Sequence, residues 1–161
     1  MLSGLSDSTK LNNIFGALKR LYTSSIVEVN QVACFEALGF PLGAIVAQDL
    51  KVGLVLVRKA EPKYTSPDFE TETFRDYDKE QKTFKVLKSS IPRGTRILIV
   101  DDLCETGEQL RAATMLFTRL GAIVIGAVFI GCRLLWEDKT CYNFPIYFLS
   151  DEDIIELLPY Y

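Results

Sequence analysis

The chain has 161 residues, 48% of them hydrophobic, which suits a single globular domain with a sizeable core. Its 18 Lys and Arg against 21 Asp and Glu give a net charge of −3, and this balance argues against nucleic acid or an anionic membrane surface as a partner. Histidine is absent, which excludes a Ser-His-Asp triad, a Cys-His dyad and HExxH zinc sites.

The absence of a recognisable targeting signal and the pattern of cysteines predict a soluble, cytoplasmic protein. Residues 1–7 carry no basic cluster, and no h-region of a signal peptide follows them. The longest apolar stretch, Ala122–Cys132, is about half as long as a membrane span. The four cysteines show no CxxC spacing and lie mostly in apolar runs, which is typical of reduced thiols.

The first sixty residues or so predict alternating helices and strands. Ser6, Asp7 and Ser8 offer capping oxygens, and apolar residues at helical spacing then predict a helix to about Tyr22. The later elements are a strand over Ser25–Cys34, a helix over Gly39–Leu50 that begins near Pro41, and a strand buried on both faces over Gly53–Val57. This order is the start of a parallel sheet covered by helices.

The composition changes over residues 60–82, where charged residues, Thr and two prolines replace the apolar runs. We expect a long flexible loop here, and a loop of that length in a compact domain suits a lid over a site.

The second half of the chain predicts further strands and helices. Order resumes at Thr83–Leu87, and the remaining elements are a turn at Ile91–Gly94, a buried strand at Arg96–Val100, a helix over Glu108–Leu120 that ends at Gly121, strands at Ala122–Cys132 and Pro145–Leu149, and a short helix from Ser150. The predicted fold is one α/β domain over residues 1–161, with a doubly wound, mostly parallel sheet.

Residues 96–110 (RILIVDDLCETGEQL) carry the chemistry, because two acids and a Thr-Gly loop lie between a buried strand and a helix. In such sheets ligands bind beyond the carboxyl ends of the strands, and a helix N-terminus there offers free N–H groups to a phosphate. Asp101 and Asp102 can accept hydrogen bonds from the vicinal hydroxyls of a ribose, or hold Mg²⁺ that also binds pyrophosphate. The alternative is an acidic turn without a ligand.

The same ILIVDD sequence opens the receiver domains of bacterial response regulators. The acid pair lies too late in this chain for that fold, because the residues after position 102 cannot supply the later strands of a receiver.

The segment VDDLCETG resembles the phosphoribosyl pyrophosphate (PRPP) motif of type I phosphoribosyltransferases, in which two acids, two apolar residues and one variable residue precede Thr-Gly. Four further segments, in family order, are similar to those of the adenine-type enzymes: Phe35–Gly43, Leu54–Lys59, Arg75–Asp78 and Ile91–Gly94. The similarity runs from about residue 8 to the end.

The resemblance implies transfer of ribose 5-phosphate from PRPP, bound with Mg²⁺, to N9 of a purine base, in a homodimer. It assigns the ribose hydroxyls to Asp101 and Asp102. The loop that holds the 5′-phosphate would consist of Glu105, Thr106, Gly107, Glu108 and Gln109.

The resemblance also implies roles around the pyrophosphate and the base. Arg58 and Lys59 would lie near the pyrophosphate. Asp76 matches an acid that protonates the base, Tyr77 matches an aromatic neighbour, and Glu105 stands where enzymes for 6-oxopurines carry an acid that handles the proton on N7.

The chain departs from the adenine-type pattern at three places. Leu38 replaces an Arg that contacts pyrophosphate, and Glu105, Glu108 and Gln109 alter the phosphate loop Ala-Thr-Gly-Gly-Thr. The N-terminal segment that covers adenine in the family has no counterpart before the first predicted helix. A second hypothesis therefore stays open, that of a catalytically impaired relative that binds a nucleotide or a partner subunit and regulates it.

Overall fold

The computed structural model describes residues 6–23, 28–61, 66–75, 79–134 and 139–152, and within them it has three long α-helices, a 3₁₀ helix at Lys88–Ser90 and seven strands. The helices are α1 (Ser8–Thr23), α2 (Gly39–Leu50) and α3 (Glu108–Arg119). The strands are β1 (Gln31–Phe35), β2 (Gly53–Ala60), β3 (Phe69–Arg75), β4 (Gln81–Leu87), β5 (Arg96–Cys104), β6 (Ile123–Cys132) and β7 (Ile146–Phe148).

All seven strands belong to one sheet in the order β3-β4-β2-β1-β5-β6-β7. From β2 to β7 every pairing is parallel, whereas β4 pairs antiparallel with both β2 and β3. The predicted α/β domain with a mostly parallel sheet is confirmed. Strand β5 lies between β1 and β6, so its carboxyl end opens at the middle of the sheet.

Two apolar cores cover the two faces of the sheet. Helices α1 and α2 pack on one face over Val32, Leu98 and Val128, and α3 packs on the other face over Ala33, Ile99 and Ala127. The strand residues alternate between the cores because successive side chains of a strand point to opposite faces. Helices on both faces make the sheet doubly wound, as predicted.

Local signals set the helix ends. The Asp7 carboxylate accepts hydrogen bonds from the backbone N–H groups of Thr9 (2.8 Å) and Lys10 (3.1 Å), which caps α1 as the sequence predicts. At the C-terminal end of α3, Gly121 has φ +78° and its N–H donates to the carbonyl of Thr118, so it ends the helix.

The prediction of one loop over residues 60–82 is wrong for part of that segment. Phe69–Arg75 forms β3 and pairs along its whole length with β4, which already begins at Gln81. Phe74, 3% exposed, anchors this strand, because it packs on the ring of Phe84 at a centroid distance of 4.6 Å. The charged and polar composition of the segment gave no sign of this contact. Glu70 and Glu72 lie on the same face as Phe74, where Arg119 of α3 pairs with them at 2.8 and 2.6 Å, whereas Arg75 is exposed.

Two smaller predictions on the strands also need correction. Strand β2 is not buried on both faces, because Leu54 and Leu56 are 38% and 43% exposed. Of the strand predicted over Ser25–Cys34, the described part begins only at Gln31, and residues 24–27 lie outside the described residues.

No helix among the described residues combines the length and the apolar character that crossing a bilayer requires.

Three phenylalanines join the β3–β4 hairpin to the central sheet, and Phe84 lies at their centre, 5.1 Å from Phe35 and 4.6 Å from Phe74 between ring centroids. We expect Phe84→Ala to lower the free energy of unfolding by about 3–5 kcal/mol, because it leaves a cavity in a dry core. Urea denaturation measures the change. Phe69→Ala, in the partly exposed end of β3, is the matched control and should cost much less; equal losses would contradict the assignment of Phe84 to the core.

Candidate functional site

A cleft of about 270 Å³ opens at the carboxyl ends of the central strands. The end of β5 and the loop that follows it, Asp101–Gly107, form one wall. The segment Phe35–Leu38, which leads from β1 into α2 through a cis peptide bond between Glu36 and Ala37, forms the opposite wall. Lys59 of β2 and Phe129 of β6 complete the lining.

Asp101 is the buried acid of the cleft and is only 7% exposed. Its carboxyl group lies against the first residue of α2, since a Cβ added to Gly39 would stand 2.5 Å from Oδ1 of Asp101. Burial raises the pKa of Asp101 well above its usual range, and the charge of Asp102 raises it further, whereas the charge of Lys59 opposes the shift. The close packing requires glycine at position 39.

Asp102 and Lys59 line the cleft beside Asp101. The backbone N–H of Lys59 donates to Oε2 of Glu36 at 2.9 Å, which ties the end of β2 to the opposite wall. An acid pair and one cation therefore meet at the base of the cleft, with both signs of charge available to a polar ligand.

The loop between β5 and α3 has the form of an anion site. Gly107, with φ +78°, precedes α3, and the N–H of Glu108 donates to the hydroxyl of Thr106 at 3.4 Å. A Cβ at Gly107 would stand 2.9 Å from Leu134 and 3.0 Å from Tyr142, whose hydroxyl donates to the Gly107 carbonyl at 3.1 Å. These contacts hold the turn through which the chain enters α3 at the edge of the cleft, where a helix N-terminus favours an anion.

Each of the two acids of this loop is paired with an arginine. Nη1 of Arg133 lies 3.3 Å from Oε1 of Glu105, and Nη2 of Arg111 lies 2.8 Å from Oε2 of Glu108. Sequence reasoning missed both arginines. The spacing of three residues on a helix could have revealed Glu108 and Arg111, and the place of Arg133 directly after β6 could have revealed the other pair.

The structure brings most of the predicted site residues together. The cleft is lined by Asp101, Asp102, Glu105, Thr106, Gly107, Gln109 and Lys59. Glu108 does not line it, because its side chain turns to Arg111 on the surface of α3. Arg58 does not line it either, since alternation along β2 places its side chain on the face of Leu54 and Leu56. Asp76 and Tyr77 lie outside the described residues.

Two thiols lie beside the loop. Cys104 and Cys132 are register partners on β5 and β6. The Cys104 thiol donates toward Cys132 and is desolvated, and both effects raise its pKa. The same hydrogen bond lowers the pKa of Cys132 to about 6. Cys104 is therefore held as a neutral thiol.

Comparison with known proteins decides the family. The family model described as the phosphoribosyl transferase domain matches residues 13–152. The chain belongs to this family. The resemblance seen in the motif and its neighbouring segments is thereby confirmed, and the acid pair and the Thr-Gly loop occupy the places that the motif predicts.

Two relatives illustrate the sequence similarity within the phosphoribosyl transferase family. An adenine phosphoribosyltransferase of Maricaulis maris is 42% identical over 106 residues, which cover 64% of this chain and 57% of the relative. One of Bifidobacterium longum is 32% identical over 126 residues, which cover 78% and 64%. The chain thus spans between about half and two thirds of the length of the curated relatives it matches.

Solved structures give the same picture for the fold. Adenine phosphoribosyltransferase from Saccharomyces cerevisiae, solved with adenine and an imino-altritol bisphosphate, superposes with a TM-score of 0.80 at 26% identity, over 92% of this chain and 84% of that one. The enzyme from Thermoanaerobacter pseudethanolicus has a TM-score of 0.73 at 29% identity, over 90% and 82%.

The raised pKa of Asp101 predicts a dependence of stability on pH. The native state holds the proton more tightly than the unfolded chain, so this carboxyl favours folding at low pH, and that contribution is lost as pH rises from about 4 through the folded pKa. We expect Asp101→Asn to be more stable than the unsubstituted protein at pH 7, with a gain in Tm of about 2–4 °C for each kcal/mol relieved. The gain should shrink toward pH 4, which calorimetry across that range measures. Asp102→Asn should give a smaller gain in the same direction, because it removes a charge that raises the pKa of Asp101. A lower Tm for Asp101→Asn at pH 7 would contradict the expectation that the folded protein disfavours a charge at this position.

Proposed function

We propose that the protein transfers ribose 5-phosphate from PRPP to N9 of a purine base, with adenine as the preferred base, giving a nucleoside monophosphate and pyrophosphate in purine salvage. One observation carries the proposal. The acid pair at the end of β5 and the Thr106-Gly107 turn before α3 line one cleft, so a ribose and its 5′-phosphate would each find a partner there. The neighbours named as adenine enzymes support the choice of base.

The reaction breaks the bond between C1′ and the pyrophosphate oxygen, which leaves with the bonding electrons, and forms a bond between C1′ and N9. Positive charge develops on the ribose ring as the first bond weakens. We assign the ribose hydroxyls to Asp101 and Asp102, where anionic acceptors stabilise that charge. The N–H groups and the hydroxyl at Thr106, Gly107, Glu108 and Gln109 would hold the 5′-phosphate, and Lys59 would face the pyrophosphate.

The residues of the cleft suit Mg²⁺ that arrives with PRPP. Asp101 and Asp102 offer hard carboxylate oxygens, and no group of three metal-ligating side chains occurs among the described residues, so the ion would keep ligands from PRPP and water. Held by these carboxylates, Mg²⁺ would supply positive charge beside the leaving pyrophosphate.

The proton of the base needs an acceptor. When N9 attacks from the tautomer that carries its proton on N7, that proton must leave, and Glu105 at the edge of the cleft is our candidate. The resemblance assigns a different role to Asp76, which matches an acid that protonates the base, and it makes Tyr77 an aromatic neighbour of the base.

We also propose a cytoplasmic homodimer. Leu54 and Leu56 present an exposed apolar strip on β2, on the same face as Arg58, and the four cysteines, all within the described residues, form no disulfide. A second copy on this strip would cover both leucines and bring Arg58 toward the neighbouring subunit. Light scattering after size exclusion measures the mass, and Leu56→Glu should give a monomer if the strip is the interface.

The decisive assay incubates the protein with PRPP, Mg²⁺ and adenine, and follows released pyrophosphate. We expect turnover with adenine to exceed turnover with hypoxanthine, guanine or xanthine. We also expect Asp102→Asn to abolish both this turnover and the binding of PRPP. Arg96→Ala, at the far end of β5, is the control and should retain activity. PRPP or AMP binding without turnover on any base would favour the impaired, regulatory relative instead.

Substitution of Glu105 separates a role in proton transfer, which changes kcat, from an electrostatic effect on PRPP binding, which changes KM. If Glu105 accepts the N7 proton, Glu105→Ala lowers kcat by about 10²–10⁴-fold while KM for PRPP stays unchanged or falls. Steady-state kinetics measures both constants. An unchanged kcat would remove the proton role, and Glu108→Ala, whose carboxylate turns away from the cleft, is the matched acidic control with little effect on either constant.

A further inference from the structure

Arg133 lies beside the phosphate loop because of strand register. Leu103 pairs with Gly131 and Cys104 with Cys132, so the residues that follow, Glu105 and Arg133, leave the sheet at the same height. The backbone N–H of Arg133 donates to the carbonyl of Cys104 at 2.8 Å, which continues the ladder by one bond. The backbone thus fixes where the arginine side chain starts.

The Arg133 side chain meets the acid that faces the cleft. Its Nη1 lies 3.3 Å from Oε1 of Glu105, while Glu105 lines the cleft and Arg133 stays outside it. The side chain of Glu105 is 32% exposed and that of Arg133 is 69% exposed, so the arginine occupies the solvent side of the pair. Glu108, the other acid of the loop, is drawn away in the same manner by Arg111.

A phosphate dianion at this loop would meet the charge of Glu105 at close range. An unpaired carboxylate there opposes the ligand, whereas a carboxylate paired with Arg133 presents little net charge and is held at one side of the opening. The arrangement resolves the conflict between an acidic loop and an anionic ligand.

We infer that Arg133 is a positioning residue of the phosphate site, which permits phosphate binding by neutralising and restraining Glu105 rather than by contacting the phosphate. The inference rests on the proposed function only in taking this loop as the place of the 5′-phosphate. It implies that Arg133 improves phosphate binding only when Glu105 is present.

A double-mutant cycle with ribose 5-phosphate as the probe tests this condition. We measure its Kd by calorimetry at low ionic strength for the unsubstituted protein, Arg133→Ala, Glu105→Ala and the double variant. Arg133→Ala alone should weaken binding about two- to fivefold. In the Glu105→Ala background the same change should have almost no effect. Arg133→Lys should restore most of the affinity, and added salt should reduce the difference.

Arg96→Ala is the matched control, because Arg96 also forms an exposed pair with a glutamate, Glu28, but at the opposite end of β5. It should leave the Kd unchanged. Equal weakening by Arg133→Ala in both backgrounds would overturn the inference in favour of direct phosphate contact or a general structural role, and no weakening in either background would overturn it outright.

The outcome separates this inference from the proposed function. If the unsubstituted protein binds ribose 5-phosphate with the expected coupling but releases no pyrophosphate from PRPP, the transferase proposal fails and the role of Arg133 stands. If it binds no ribose 5-phosphate, the role of Arg133 fails.

Discussion

The architecture of the cleft depends on placing the carboxyl group of Asp101 inside the protein at the end of the central strand. Removing a carboxylate from water is costly, and the shift in its pKa expresses that cost. The carboxyl is accommodated because α2 begins with Gly39, which has no side chain to fill the space. The first turn of α2 can therefore approach β5, and the two walls of the cleft come within reach of one ligand. Sites that bind charged transition states commonly sacrifice stability in this manner.

Charge balance is the second organising feature. An anionic substrate requires a loop with little net negative charge, yet this loop carries Glu105 and Glu108. The structure meets the requirement locally, with one arginine from the end of β6 and one from the first turn of α3. The overall charge of −3 therefore says little about the field at the site, which is set within a few ångströms.

Much of the fold could be predicted from sequence, because its central strands are short apolar runs and its helices carry clear periodicity and end signals. The hairpin could not, since β3 buries essentially one large side chain, Phe74, among charged and Thr residues that resemble a solvated loop. At the site, the motif located the acids and the Thr-Gly turn. The motif could not reveal side-chain direction. Arg58 and Lys59 are adjacent in sequence, and only the pleat of β2 decides which of them reaches the cleft.

The pairing of β1 with β5 also has a consequence for how the protein folds. This seam joins residues far apart in the chain, such as Asn30 and Arg96, which are 66 positions apart and hydrogen-bonded at the start of the two strands. Closing so long a segment is slow and entropically costly, so local hairpins and βαβ units can form before it. The cleft straddles this seam, with one wall from each side. A partly folded chain consequently has no binding site, and any ligand of the cleft stabilises the whole native domain by mass action instead of one half of it.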